Sequence, residues 1–468
     1  MKNLKSLSFW AIVGFFIIGF VGLYNQARWN NPDKRFRVIY WDVVSYYAYL
    51  PATFIYHDIS LSFANSEAIK NSNDIVFWGN PLPNGKQVIK TTMGVAFFYA
   101  PFFAVAHLRA HFSHGKYAPN GFSLPYHRYL AFSGLFWGCI ALFVLRKLLK
   151  IYYSDWVVAL GLVTVSFATN FYNYTVYEGC VAHIYGFLLI TCFTLCCVHW
   201  TQKITLRNSM LLGFLAGFII LLRPTNIVVL VIPIFLGVTN WQSFRLRLNA
   251  IVSHFSYILV SVLFAFLAFL PQLLYWKYVT GSYLFFSYGN ERFFWQDPKL
   301  VEFVLGYRKG WLVYSPAMVF GILGLFLLQK KARAFAIPIV LIMGLSIYAL
   351  SCWWAWWFGG SFGSRSLVDF YGLMAIPICA FFSYGFNREK RKQKTFFWVK
   401  HVVFCSILAF FIHLNMYQTR QYRTGLIHWD GMTKQSYWAI FLQNHYPPYY
   451  DNMIKQPDYE AAMEGKNR

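Results

Sequence analysis

Long apolar runs without interruption recur along this chain, and they constrain its fold more than any other feature. A helix needs about 20 apolar residues to cross the hydrocarbon of a bilayer, whereas a membrane-spanning strand alternates apolar and polar residues. The runs here are continuous, so they predict helices. They lie near residues 8–24, 126–146, 156–172, 180–200, 209–222, 226–240, 252–276, 313–329, 334–352, 367–386 and 397–415. The sequence therefore predicts an all-α polytopic membrane protein with about 11 transmembrane helices.

Composition excludes a soluble enzyme with an ordinary hydrophobic core. Hydrophobic residues make up 58% of the chain and charged residues only 12%, and the mean hydropathy is +0.43. These values are typical of proteins that cross a membrane several times. The eight cysteines lie mostly inside the apolar runs, where we interpret them as packing residues rather than as a metal site or a disulfide set.

The distribution of basic residues predicts the orientation. Lysine and arginine outnumber the acids by 41 to 17, which gives a net charge of +24, and cytoplasmic loops collect such residues. If the N-terminus is cytoplasmic and the apolar stretch 91–112 does not cross, five basic clusters fall on the cytoplasmic side. They are Arg146/Lys147/Lys150, Lys203/Arg207, Arg245/Arg247, Lys330/Lys331/Arg333 and the run at 387–394. We therefore expect 91–112 to be a juxtamembrane helix at the outer interface, broken by Pro101.

This orientation predicts a transmembrane domain over residues 1–415 and a short outer-face tail over 416–468. Within the first of these, a long first outer loop covers about residues 25–125. The N-terminal apolar run has a basic start and no small-residue cleavage site. We interpret it as an uncleaved first span, with a signal peptide as the weaker alternative.

One acid lies in an aromatic stretch just past the first span. Asp42 belongs to RVIYWDVVSYYAYLPA, residues 37–52, among several tyrosine and tryptophan rings. A carboxylate beside rings and apolar surface can hold a proton more tightly than usual and serve as a base for a hydroxyl or an amine. The structural alternative is a helix cap for the segment that begins at Val43, because Asp favours that position. The residues alone leave both roles open.

Other polar residues that are unusual in a membrane protein fall on the predicted outer face. They are Glu178, His183, Arg223, Tyr288, Glu291, Arg292, Arg308, Lys309, Arg365 and Asp369. Ionisable groups in a membrane are costly and are candidates for function when they face a cavity.

Structural roles compete with function for several of these residues. Arg365 and Asp369 have the spacing of an ion pair on one helix. Arg223 would reach outer headgroups by snorkelling, and His183 would bond a neighbouring helix. Glu178 lies at the membrane interface, where a charged carboxylate costs little free energy.

A tryptophan-rich loop precedes Arg365. The segment CWWAWWFGGSFGSRS, residues 352–366, contains four tryptophans followed by glycines and the arginine. Tryptophan prefers membrane interfaces, which explains the rings without any function. Flat rings also suit the apolar faces of sugars or isoprenyl chains, and an arginine suits a phosphate through two parallel hydrogen bonds.

Four segments together resemble the GT-C class of membrane glycosyltransferases, which includes protein mannosyltransferases and the aminoarabinose transferase of lipid A. WDVVSYYAYLPA resembles the start of the first outer loop of that class, which carries the catalytic Asp. GKQVIKTTMGVAFFYAPFFAVAH resembles its second juxtamembrane helix, in which Lys90 and Gly94 fit the usual pattern. LLRPTN resembles its Arg-Pro helix end, and WWFGGSFGSRSLVDFYGLMAIP resembles a late segment near the donor phosphate.

The resemblance implies transfer of a sugar from a polyprenyl-phosphate donor to a lipid, glycan or protein acceptor. The reaction would take place on the outer, periplasmic face of a bacterial inner membrane, among membrane lipids. Asp42 would be the catalytic base, and donor phosphate would be held by Arg223, Arg292 and Arg365. Further candidates are Asp58, Lys90, Glu178, His183, Tyr288 and Glu291.

The acidic residues of this sequence differ from those of some members of that class. Some members bind a metal through a paired acidic motif, but no Asp-x-Asp occurs here, and Asp58 is the nearest second acid of the first loop. We therefore expect a metal-independent reaction, no cofactor and no nucleic-acid partner.

Three other functions remain open from the residues. A transporter or flippase of an anionic lipid-linked substrate would need charges deep in the membrane and broken helices paired between two halves, and neither is visible. A lipid-linked glycan ligase or polymerase would use basic side chains and often a histidine as its base. A scaffold without catalysis would tolerate replacement of Asp42.

Overall fold

The computed structural model describes residues 6–33, 37–65, 79–329, 332–386 and 394–466, and its regular structure is almost entirely helical. The longer helices are α1 Leu7–Gln26, α2 Gly94–His111, α3 Leu124–Leu149, α4 Asp155–Phe167, α5 His183–Gln202, α6 Leu206–Leu222, α7 Trp241–Ser253, α8 Phe255–Thr280, α9 Ala336–Ser351, α10 Tyr371–Gly385 and α11 Lys394–Arg423.

The short elements lie between and after these helices. Short α-helices are Asp42–Tyr47, Tyr49–Phe54, Val231–Phe235, Leu300–Leu305, Trp311–Tyr314, Met318–Leu325, Lys434–Ala439, Tyr450–Met453 and Tyr459–Met463. Five 3-10 helices occur in the described residues, at Arg28–Asn30, Ser62–Asn65, Pro224–Leu230, Ala332–Phe335 and Arg365–Phe370, and a π-helix at Asn173–Tyr177. Strands Asn80–Pro81 and Gln87–Val88 pair antiparallel, with Asn80 opposite Val88.

Seven helices in the described part of the chain are long and apolar enough to cross a membrane. They are Leu7–Asn30, Leu124–Leu149, His183–Gln202, Phe255–Thr280, Ala332–Ser351, Arg365–Gly385 and Val402–Arg423. The prediction of an all-α, multi-pass membrane protein is confirmed. Three further apolar helices are shorter, at Asp155–Phe167, Leu206–Leu222 and Pro224–Phe235, so the figure of about 11 spans stays a prediction.

Small residues allow a close helix contact between α6 and α8. A Cβ built on Gly213 would lie 2.0 Å from the carbonyl oxygen of Ser261, and one built on Gly217 would lie 2.2 Å from that of Ala265. Helices in a membrane associate through such spaced small residues, because lipid offers no hydrophobic drive for their association. This contact fixes α6, which ends directly before Arg223.

One end of the bundle is marked by an ionic cluster. The carboxylate of Asp155 accepts hydrogen bonds from the hydroxyls of Ser6 and Ser8, both at 2.6 Å, and Lys150 approaches it at 3.2 Å. Arg146 donates to Ser8 at 2.7 Å. The start of α1, the end of α3 and the start of α4 therefore meet at this end, which carries the first of the basic clusters.

The opposite end is closed by the last helix and the tail. Helix α11 continues past residue 415 to Arg423, whose guanidinium pairs with Glu178 at 3.6 Å. The segment that follows packs on the loops before α9 and α10, since Lys309 donates to the carbonyl of Trp429 at 2.5 Å and the ring of Tyr459 meets that of Trp357 at 5.7 Å.

The prediction that Pro101 breaks the juxtamembrane helix is wrong. Helix α2 runs without interruption from Gly94 to His111 and includes Pro101. Proline opens the preceding turn of a helix, but such turns persist where neighbours satisfy the carbonyls. Trp137 Nε1 donates to the Phe98 carbonyl in that turn at 3.0 Å. Helix α2 therefore lies along the first half of α3.

Candidate functional site

Asp42 lies at the start of a short helix between α1 and α2. The preceding residue, Trp41, has a left-handed φ of 49°, which a bulky residue adopts only under strain, and such strain concentrates at functional sites. The N-cap position of this helix is Trp41, so Asp42 is the first helical residue and not the cap. Its side chain is 51% exposed, and Oδ2 accepts a hydrogen bond from Arg365 Nη2 at 2.9 Å. The helix-cap role is therefore wrong.

The glycine-rich loop before α10 sets the position of Arg365. Gly363 has a φ of 64°, a conformation that glycine adopts at no steric cost. The adjacent backbone is held on both sides, since the Phe362 N–H donates to the hydroxyl oxygen of Tyr174 at 2.7 Å, and Asn170 Nδ2 donates to the Phe362 carbonyl at 3.0 Å. The pinned loop directs Arg365 to Asp42.

Asp369 is the buried centre of the site. Its carboxylate is 0% exposed, and it contacts His183 Nδ1 at 2.7 Å, Asn226 Nδ2 at 2.8 Å and Arg223 Nη1 at 3.2 Å. Space for it comes from Gly186, where a Cβ would lie 2.6 Å from the carboxylate. The predicted ion pair between Arg365 and Asp369 is wrong, because residues 365–370 form a 3-10 helix, in which residues four apart point in different directions.

The break in the helix after α6 orients the side chain of Arg223 toward the site. A residue before proline is driven to extended backbone, and Arg223 has φ −152° and ψ 111° before Pro224. Its guanidinium then reaches Asp369 and lies 3.0 Å from His183 Nδ1. We assign the Nδ1 proton of His183 to the shorter bond with Asp369, which leaves Nε2 as the acceptor nitrogen.

A second group of predicted residues flanks this cluster. The ammonium of Lys90 pairs with the Glu291 carboxylate and lies 5.1 Å from the centre of the Tyr288 ring. Trp354 Nε1 donates to the other oxygen of Glu291 at 3.1 Å. Lys90, Tyr288 and Glu291 line a cleft of about 240 Å³, together with Asn80 and neighbouring residues.

Two tyrosines, Tyr288 and Tyr46, lie within electrostatic range of Asp42. Burial raises the pKa of Tyr288 to about 12, with Arg223 acting in the opposite direction and Asp42 in the same one. Burial and then Asp42 raise the pKa of Tyr46 as well. Both hydroxyls therefore stay protonated at neutral pH.

Three predicted site residues lie away from Asp42. The guanidinium of Arg292 stacks over Phe294 at 4.9 Å. Asp58 accepts hydrogen bonds from its own loop, at Ser60 and at the amide of Phe63. Glu178 pairs with Arg423, as described above. The structure brings none of these three into contact with Asp42.

Sequence reasoning did not single out Tyr46, Asn226 or Ser366, and it placed Asp369 in the wrong pair. Ser366 lies 3.4 Å from Arg223. The one available signal was Asn226 in the LLRPTN turn, since a buried amide at a helix break needs polar partners.

The arrangement holds the guanidinium of Arg365 on the half-exposed carboxylate of Asp42. A second guanidinium, of Arg223, lies on the buried Asp369 and 3.4 Å from Ser366, the residue after Arg365. Arg223 and Arg365 are only 16% and 17% exposed, and guanidinium groups at such positions bind phosphate through parallel hydrogen bonds. Asp42 can accept a proton from a group that enters from the solvent side. Within the described residues, no cluster of three or more His, Cys, Asp or Glu side chains has the geometry for a metal ion.

No protein-family model and no curated protein sequence matches this chain.

Proposed function

We propose that this protein is a membrane glycosyltransferase that moves a sugar from a polyprenyl-phosphate donor to an acceptor at the outer face of the membrane. The contact between Asp42 and Arg365 carries the proposal, because it joins a solvent-accessible base to an arginine whose chain neighbour, Ser366, contacts Arg223. The GT-C resemblance places a base and phosphate-binding arginines at the same positions.

The positive-inside rule supports the orientation of this proposal. The ionic cluster of Arg146, Lys150 and Asp155 would face the cytoplasm, and the site of Asp42 would face the periplasm of a bacterial inner membrane. Eleven crossings would result if the three shorter apolar helices and the segment around Met318–Leu325 also cross.

The proposed reaction is a single displacement at the anomeric carbon. Asp42 takes the proton from the acceptor hydroxyl or amine, whose electron pair forms the new bond to that carbon. The bond between the carbon and the phosphate oxygen breaks, and its electron pair leaves with the polyprenyl phosphate. Arg223 and Arg365 stabilise the charge that develops on this oxygen, which is commonly the largest contribution to catalysis.

Arg365 would connect phosphate binding to the base. In the structure its guanidinium is bonded to Asp42, so a donor phosphate that competes for it would release the carboxylate. His183 and Asn226 hold Asp369, which in turn keeps Arg223 oriented in the absence of phosphate. The acceptor would be a lipid, a glycan or a protein segment that enters past Trp41, which is 67% exposed.

The test is transfer of labelled sugar from a panel of polyprenyl-phosphate sugars by purified protein in lipid. Wild type is compared with Asp42→Asn and with Asp58→Asn, the matched acid in the same loop. We expect transfer by wild type and Asp58→Asn, and a loss of about 10²–10⁴-fold in Asp42→Asn. Equal transfer by all three would remove Asp42 from the mechanism. Lipid movement across the bilayer without transfer would favour a flippase.

One observation favours a lipid-linked glycan ligase as the second candidate. The bond between His183 and Asp369 gives the imidazole the tautomer that a histidine base requires. A ligase would use a diphosphate donor and would lose activity in His183→Asn while tolerating Asp42→Asn. The proposed transferase predicts the larger loss for Asp42→Asn, with a monophosphate donor.

A further inference from the structure

A groove apart from the candidate site lies on the outside of the bundle, among α1, α2 and α3. Its volume is about 470 Å³, and it is lined by Arg109, Arg128 and the rings of Phe20, Tyr24 and Phe132, with neighbouring aromatic residues. Neither arginine takes part in the reaction proposed above.

The two arginines have no counter-charge in the described part of the chain. Both side chains are exposed, and no hydrogen bond or ion pair joins either of them to a described residue. Arg128 lies in the first turns of α3, where the helix dipole disfavours a cation. The helix dipole therefore does not explain an arginine at this position. An anionic ligand in the groove would explain it.

A hydrogen bond between α2 and α3 holds the two arginines at the same place. His107 Nδ1 and the hydroxyl of Tyr126 are 2.6 Å apart, and the arginines follow two residues later on each helix. Phe103 packs on the ring of Tyr126 at 5.6 Å. The backbone that carries both guanidinium groups is thus fixed before any ligand binds, which lowers the entropy cost of binding.

The wall of the groove belongs to a predicted membrane span. Phe20 and Tyr24 lie near the outer end of α1, are 42% and 55% exposed, and stack on each other at 6.3 Å. Phe132 closes the wall by packing against Phe20 at 5.9 Å. A ligand held here has its anionic group beside the arginines and its apolar part along rings that face the hydrocarbon.

We infer that this groove binds one membrane lipid with an anionic phosphate headgroup. The two guanidinium groups hold the phosphate oxygens, and an acyl or isoprenyl chain lies along Phe20, Tyr24 and Phe132. A soluble anion would contact the two arginines but not the aromatic wall. This lipid site does not depend on the proposed sugar transfer.

The test counts retained lipid by native mass spectrometry. Wild type, Arg109→Ala/Arg128→Ala and the control Arg207→Ala/Arg245→Ala are reconstituted in phosphatidylcholine with a minor fraction of phosphatidylglycerol, then stripped with detergent. The control removes the same charge from exposed arginines elsewhere on the chain. We expect wild type and control to retain one phosphatidylglycerol, and the groove variant to hold it at least about tenfold more weakly, because charge-assisted bonds are lost.

Further samples distinguish lipid-linked phosphate from free phosphate as the anion that the groove binds. Polyprenyl phosphate replaces phosphatidylglycerol in one set, and inorganic phosphate is added as a competitor in another. Equal loss of lipid in both double variants, or retention by the groove variant, overturns the site. Displacement of the lipid by inorganic phosphate at equal concentration overturns its assignment to a lipid. The variant Asp42→Asn should retain the lipid, so failure of the transferase proposal leaves this result unaffected.

Discussion

Arg365 Nη2 donates to Oδ2 of Asp42 at 2.9 Å, across 323 residues of sequence. The contact joins the segment between α1 and α2 to the segment that precedes α10. Both partners have another proposed role, since the carboxylate would accept a proton and the guanidinium would bind phosphate. The pair is therefore a resting arrangement that a phosphate ligand would compete with.

Replacement of Arg365 by lysine should lower sugar transfer. Lysine keeps the charge but lacks the planar guanidinium, whose paired N–H groups bind a phosphate through two parallel hydrogen bonds. We expect Arg365→Lys to lose about 10- to 100-fold in kcat/KM for the donor, corresponding to one or two charge-assisted hydrogen bonds. The measurement is transfer kinetics over a range of donor concentrations.

Arg292→Lys is the matched control for that variant. The sequence predicted that Arg292 also binds the phosphate, but its guanidinium lies over Phe294. Its replacement should change kcat/KM by less than about twofold, since exposed polar contacts contribute little. A loss in Arg292→Lys as large as that in Arg365→Lys would contradict the assignment of the phosphate site.

Replacement of Asp369 by asparagine should destabilise the protein strongly. The buried carboxylate compensates Arg223, and removal of one partner from a buried ion pair typically costs about 3–5 kcal/mol. Asp42→Asn provides the comparison, because its carboxylate is 51% exposed and such pairs contribute about 1 kcal/mol or less. Thermal unfolding in one detergent should show the larger loss for Asp369→Asn. Equal losses would contradict the central position of Asp369.

The sequence allowed the helical architecture and the gathering of polar residues to be predicted, because apolar runs and loop charges are local signals. It also supplied Asp42, Arg223 and Arg365, which lie together in the structure. The partners of Asp369 could not be predicted, since the spacing from Arg365 fits an α-helix and the observed 3-10 helix rotates the two side chains apart. The position of Arg292 depends on a long-range contact that no local pattern encodes, since its carbonyl accepts a hydrogen bond from the amide of Trp354.

Gly186→Ala should disturb the site without changing its charges. The new Cβ would lie 2.6 Å from Asp369, so the carboxylate must move and its contacts with His183 and Arg223 must lengthen. We expect a loss of stability of about 1–3 kcal/mol from this overpacking, together with reduced transfer. Both are measured by thermal unfolding and by labelled-sugar transfer.

Gly344→Ala separates this effect from helix propensity. Gly344 is also in a helix, but nothing lies within 4 Å of a Cβ built there. Alanine at such a position should be neutral or stabilising by up to about 1 kcal/mol. If Gly186→Ala were as stable and as active as Gly344→Ala, the close packing of Asp369 would be refuted.

Lys309 should make stability rise with pH. Burial lowers the pKa of Lys309 from 10.5 to about 7, although Asp430 acts in the opposite direction. Between these two pH values the unfolded chain binds a proton that the folded chain does not, so the free energy of unfolding increases as pH rises and levels off above the unfolded pKa. Thermal unfolding from pH 7 to pH 9 should show this increase.

Lys309→Met isolates that contribution. Methionine fills a similar volume without a titrating group, although two carbonyl oxygens, of Ser361 and Trp429, lose their hydrogen bonds from the ammonium. The variant should therefore be less stable overall, but its melting temperature should rise less with pH than that of wild type. The decisive quantity is the difference between the two profiles, because other titrating groups, such as His428, contribute equally to both. Parallel profiles would mean that Lys309 keeps its charge when buried, held by the carbonyls and by Asp430.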